Sequence, residues 1–144
     1  MKAHLTRRYQ FPASHRLHTD ALTEAENREL YGKCNYPHGH GHNYGLYITV
    51  SGQVDAKTGM VCNLAEIDGF VQREILSRFD HANLNELEAF RDQVPTTENL
   101  CREIEGILRR GFTAAHVERV RIQETRKNSF AVLAPSAGPR KEMS

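Results

Sequence analysis

Apolar residues recur at every second position in two stretches of the chain. Between Ala3 and Phe11, Leu5, Tyr9 and Phe11 share one face; further on, Tyr44, Leu46, Ile48 and Val50 alternate with Asn43, Gly45, Tyr47 and Thr49. A period of two predicts strands. Asp55 to Gly59 reads as a turn, and Met60-Val61-Cys62 as the return strand of a hairpin. The period then lengthens. Asn63 offers a cap, after which Leu64, Ile67, Phe70, Val71 and Ile75 fall at helical spacing. Thr96 or Thr97 caps a second long helix, with Leu100, Ile104, Ile107 and Leu108 as its stripe and Gly111 as its stop. Thr23-Glu24-Ala25-Glu26 matches a capping box and opens a shorter helix toward Leu30, ended at Gly32. Val117 to Thr125 and Ser129 to Leu133 read as a closing pair of strands. Hairpin strands separated by helices predict an α+β fold, an antiparallel sheet with two main helices on one face. The other face is left for a partner subunit to cover.

Composition narrows the function. The 144 residues carry 19 Lys+Arg against 18 Asp+Glu, a formal charge of +1, which is not the basic excess of a nucleic-acid binder. No apolar run approaches the roughly 20 residues of a membrane span, and Met1 to Arg8 lacks the apolar core of a signal peptide. Three cysteines, Cys34, Cys62 and Cys101, are too few for a disulfide framework, so a cytoplasmic location is expected. Residues 1–133 form one domain, and the Pro/Gly-broken tail at 134–144 reads as disordered.

The eight histidines change the picture. In His40-Gly41-His42 the two imidazoles stand at i and i+2, so on an extended backbone both point the same way. His15, at the end of the first strand, is the candidate third ligand. Three neutral imidazoles with one open position suit catalytic Zn²⁺ best, although Cu²⁺ and Ni²⁺ take the same donors. His38 shares the strand parity, so spacing leaves 38/40 and 40/42 both open. His4, His18 and His116 read as surface residues. Cys34, after Lys33 and near the histidines, is a candidate thiolate base or nucleophile. Asp80-His81 can form an orienting carboxylate–imidazole pair. Glu124 follows Val120 and Ile122 on one strand face, where a carboxylate must be paired. There is no Gly-rich dinucleotide loop.

Five segments in order resemble the 6-pyruvoyltetrahydropterin synthase family: Phe11 to Leu17, Gly32 to Tyr44, Thr58 to Ala65, Asp80 to Asn85, and Gln123-Glu124-Thr125. The resemblance places zinc on His15, His40 and His42 and leaves His38 outside. It makes Cys34 the general base, set across a pterin-sized gap from the ion, Asp80 and His81 a proton relay, Glu124 the pterin anchor, and Thr96 and Thr97 part of the pterin pocket. It implies a four-stranded antiparallel sheet with two helices on one face (the T-fold). Trimers of this unit would close into a β-barrel and stack as a homohexamer, with active sites between subunits. The implied reaction is that of a carbon–oxygen lyase. It converts 7,8-dihydroneopterin triphosphate to 6-pyruvoyl-tetrahydropterin and releases triphosphate. Arg16 and Lys33 are the nearest basic residues for the triphosphate. The related 6-carboxytetrahydropterin synthase of the queuosine pathway is the alternative; the Cys34-x5-His40 spacing and Asn35 resemble the pyruvoyl enzyme. A non-catalytic zinc-binding oligomer is the third reading, and it leaves Cys34, Asp80 and His81 without a task.

Overall fold

In a computed structural model, which describes residues 1–135, the two period-two stretches form long strands paired along their whole length. β1 (Lys2–His15) and β2 (His40–Gln53) run antiparallel, from Lys2 opposite Gln53 to His15 opposite His40. β2 pairs on its other side with β4 (His116–Gln123), and β4 with β5 (Ser129–Leu133), both antiparallel. A bulge between Thr49 and Val50 keeps both Val117 and Val120 on the buried face.

Two expectations are corrected. The sheet has five strands, in the order β3-β1-β2-β4-β5, where four were expected. β3 is only Ala82–Asn83, parallel to β1 at Ala13 and Ser14, and two residues are too short for any periodicity to signal. A turn at His81, with φ of 58°, brings it there, and His81 N–H donates to the Pro12 carbonyl at 2.7 Å. Met60-Val61-Cys62 is not a return strand. Both edges of β2 are already taken, by β1 and β4, so a third partner has no ladder to join. The Asp55–Gly59 turn is present, with Asp55 Oδ1 accepting from the amides of Lys57 and Thr58.

The helices start where their caps sit. α1 (Glu24–Tyr31) has both halves of the Thr23/Glu26 capping box. α2 (Leu64–Val71) begins at Asn63, whose side chain accepts from Ala65 N–H, and passes through a π turn at Gln72–Leu76 into α3 (Ser77–Phe79). α4 (Thr97–Gly111) is capped by Thr96. Ile67, Val71, Ile75, Leu100, Ile104 and Leu108 cover the sheet face that presents Phe11, Tyr44, Leu46, Ile48, Val120 and Ile122, all fully buried. None of the described helices is long and apolar enough to cross a membrane. The expected tail lies, beyond residue 135, outside the described residues.

The opposite sheet face is polar. The Thr6 and Thr49 hydroxyls bond at 2.8 Å, and the guanidinium groups of Arg8 and Arg121 lie 5.6 and 4.1 Å from the Tyr47 ring centre. Apolar burial therefore does not call for a partner on that face, as had been expected. The strand edges are the unfinished feature: from Lys2 to Pro12, β1 pairs only with β2.

One polar clamp ties β1 to α2. Arg7 donates from Nε and Nη2 to Asp68 Oδ1 and Oδ2 at 3.0 and 2.7 Å, and Tyr9 OH donates to Oδ1 at 2.6 Å. These bonds, Arg7 first, hold the Asp68 carboxyl below its usual range. A depressed carboxyl stabilises the fold above its unfolded value of about 4, and that contribution disappears as the pH falls through the folded-state value. Asp68→Asn is expected to lower the Tm at neutral pH, with the gap to the parent protein closing in acid. Thermal melts across the pH range read this directly.

Candidate metal centre and active site

The β1–β2 register carries His15 and His40 as direct partners and sets His42 opposite Ala13, so all three imidazoles leave the sheet on the core face. The ring centres lie 4.5 to 5.8 Å apart. His38 is exposed and stands outside the group; the strand begins at His40, so the register favours 40/42 over 38/40.

Each ring is aimed. His15 is 1% exposed, and its Nδ1 lies 2.8 Å from the Pro95 carbonyl. A carbonyl only accepts, so Nδ1 carries the proton and Nε2 turns a lone pair inward. Tyr44 OH stands 3.2 Å from the same Nδ1, its ring edge-on to His15 and His42. Burial pushes both His15 and His42 down from the ordinary histidine value, against the pull of Glu124, which keeps them in the neutral ligating form. The Nε2 atoms of His15 and His42 are buried with no hydrogen-bond partner. An unpartnered buried nitrogen costs about 1–3 kcal/mol. Two of them converging on one point is the arrangement a cation would complete.

Cys34 belongs to this group. It lies on the 3₁₀ turn Gly32–Asn35, and its Sγ is 2.9 Å from His40 Nε2. One ligand atom from each of His15, Cys34, His40 and His42 falls within 4.8 Å of the others. The thiol is therefore not across a pterin-sized gap, as the resemblance had implied; it sits beside the candidate metal-binding imidazoles. Nor does Lys33, which is exposed, make it a thiolate: burial, and then the Glu124 carboxylate, push the Cys34 thiol up. Imidazoles with a thiol are a zinc-type donor set, and the residues fit the ion.

Glu124 follows the last residue of β4 and turns inward. Oε2 accepts from the Thr97 hydroxyl, while Oε1 lies 3.5 Å from His42 Nε2. Thr97 is buried, on the first turn of α4. Thr96 is engaged elsewhere, its hydroxyl accepting from Asn99 N–H at 3.1 Å as the helix cap.

Asp80 and His81 form the expected pair, Oδ1 to Nδ1 at 2.9 Å, but their side chains are 43% and 78% exposed. His81 lines a shallow depression with Pro12, Ser14, Gly41, His42 and Asn43, but neither Asp80 nor His81 is among the clustered donor atoms of the histidine–cysteine group. Arg16 donates to the Asn35 carbonyl at 3.2 Å. Sequence reasoning gave three supporting groups no role at the site: Tyr44, the Pro95 carbonyl and Asn35. Tyr44 left a signal in its strand parity with His40 and His42, and Asn35 in its place within the resemblance; Pro95 left none.

Residues 4–135 match the family model for 6-pyruvoyl tetrahydropterin synthase. The 6-pyruvoyl tetrahydrobiopterin synthase of Drosophila melanogaster is 44% identical over 135 residues, covering 92% of this chain and 80% of its own. The human protein of the same name is 41% identical over 128 residues, 88% of each chain. The structure of the Caenorhabditis elegans 6-pyruvoyl tetrahydropterin synthase superposes with a TM-score of 0.86 at 36% identity, covering 94% of this chain and 97% of that one. A metal-ready group of three histidines and a cysteine, in this fold and with these relatives, makes the chain a member of the 6-pyruvoyl tetrahydropterin synthase family.

Proposed function

We propose that the protein is a zinc-dependent 6-pyruvoyl tetrahydropterin synthase, a carbon–oxygen lyase. It would convert 7,8-dihydroneopterin triphosphate to 6-pyruvoyl-tetrahydropterin and release triphosphate. The observation that carries the reading is the pair of orphaned imidazole nitrogens on His15 and His42, beside a thiol and a carboxylate. The names of the relatives at 41–44% identity support the same activity.

His15, His40 and His42 would hold the zinc, which would supply a Lewis acid for the substrate's side-chain oxygens and so acidify the protons beside them. Glu124 orients the pterin. With Oε2 bound by Thr97, Oε1 is the free acceptor for the amino and ring N–H edge, a charge-assisted contact that fixes the ring. Thr97 thus serves the pocket through Glu124, while Thr96 shapes it as the helix cap. Cys34 removes side-chain protons. Burial and Glu124 push its thiol up, and a cation held alongside would favour the thiolate. His81, oriented by Asp80, carries protons at the substrate. Since the pair is exposed on its own chain, a second copy brings it to the site. The open edges of β1 and β5 support a barrel-forming trimer, and stacking of two trimers gives the hexamer. Three free thiols suit a reducing cytoplasm.

Mass spectrometry of the products from dihydroneopterin triphosphate tests the assignment. The pyruvoyl product is expected; a product two carbons shorter, with acetaldehyde, would replace it with the carboxy-forming reaction. His40→Ala is expected to lose the metal and His38→Ala to keep it, as read by elemental analysis. Cys34→Ala should retain zinc and fold while kcat drops by about 10²–10⁴-fold. Glu124→Ala should raise KM about ten- to a hundredfold, the loss of a charged hydrogen bond; an unchanged KM would leave Glu124 a structural role.

A further inference from the structure

The loop between α1 and β2 is an eight-residue span bounded by two glycines in the left-handed region, Gly32 at φ 56° and Gly39 at φ 64°. Gly39 also passes so close to β1 that a Cβ there would lie 2.4 Å from the His15 carbonyl oxygen. These glycines turn the chain but do not fix the middle of the loop, where Cys34 sits. Some other contact must hold the thiol 2.9 Å from His40.

That contact is made by a short run of chain just past His15. Leu17 N–H donates to the Cys34 carbonyl at 2.7 Å. The Asn35 side-chain amide donates to the Leu17 carbonyl at 2.7 Å and approaches His18 Nδ1 at 3.4 Å. Arg16 Nε donates back to the Asn35 carbonyl at 3.2 Å. The other side of the run is held by Asn85, whose amide accepts from Arg16 N–H at 2.7 Å and donates to Arg16 C=O at 2.8 Å. It thereby continues, with a side chain, the parallel pairing that β3 makes with Ala13 and Ser14. Asn35 is only 6% exposed. A buried amide with paired partners is a rigid link, since leaving the Leu17 carbonyl bare costs its desolvation.

We propose that Asn35 is a positioning residue: its buried amide ties the Cys34 turn to the segment that continues from the metal ligand His15, and so sets the thiol against the metal group. The proposal rests on the reading of Cys34 as the proton-removing group, and its test separates the two. Asn35→Ala is compared with Asn35→Asp, which keeps the side chain's shape but faces the Leu17 carbonyl with an oxygen. In the zinc-loaded full chain both variants should keep the parent zinc content and KM while kcat falls by about 10²-fold, the usual cost of a displaced reacting group. In the metal-free full chain, iodoacetamide labelling of Cys34, resolved from Cys62 and Cys101 by peptide mass, should accelerate several-fold as the turn loosens. Labelling at the parent rate in either folded variant overturns the proposal, whatever happens to the Tm. Turnover that survives Cys34→Ala would defeat the assigned role of the thiol, while labelling would still decide what Asn35 does.

Discussion

The antiparallel register that sets His15 opposite His40 and Ala13 opposite His42 is the constraint from which the site is built. Side chains alternate across a strand, so a slip of one residue would send all the imidazoles of one strand to the solvent face. The register is held by what lies further along the same strands. Phe11, Tyr44, Leu46, Ile48 and Val50 are fully buried under the helices, and their face is also the imidazole face. The hydrophobic core and the candidate metal centre therefore share one parity. The candidate ligands are the last core position of β1 and the first of β2, where the apolar sequence gives way to histidine.

A second constraint crosses from the helical layer. Three consecutive residues at the start of α4 act on the site in different ways. The Pro95 carbonyl fixes the tautomer of His15, Thr96 caps the helix, and the Thr97 hydroxyl holds Glu124. Proline lacks an N–H, yet its carbonyl is what this position contributes. The cap stiffens the segment between the two contacts, so a metal ligand and the candidate pterin anchor are referenced to the same helix end. Where α4 packs on the sheet, through Leu100, Ile104 and Leu108, fixes the height of that end above the strands.

Much of this was legible in the residues. The alternation around Tyr44 and Ile48 and the 3.6 spacing from Leu64 to Ile75 gave the main elements, because a half-buried strand and an amphipathic helix each write one face into the sequence. The three imidazoles came from His40-Gly41-His42 together with the resemblance. What was missed depended on pairing rather than periodicity. Ala82–Asn83 is a strand only because His81 turns the chain onto Pro12, and Met60 to Cys62 is not one only because β4 had taken the edge of β2. Cys34 sits nearer the histidines than expected because Asn35 and Leu17, remote in sequence, draw its turn inward. Such side-chain-to-backbone bonds leave no pattern for a sequence to show.

The charge states at the centre are set first by burial. Desolvation drives His15 and His42 toward the neutral imidazole and Cys34 toward the neutral thiol, so three of the four candidate ligands are uncharged by the same cause. The nearby carboxylate of Glu124 works the other way on the histidines, favouring their cationic form, and loses to burial. A pocket of neutral donors with one carboxylate at its rim favours a cation in two ways. It presents lone pairs that need not first shed protons, at His15 and His42, and it leaves Glu124 without a full positive partner. Burial, and then the Coulomb field of Glu124, both disfavour the Cys34 thiolate, and a dication held in this group would oppose both. On the proposed reading the thiol would owe its reactivity to a metal held beside it rather than to Lys33, which is solvent-exposed on the turn.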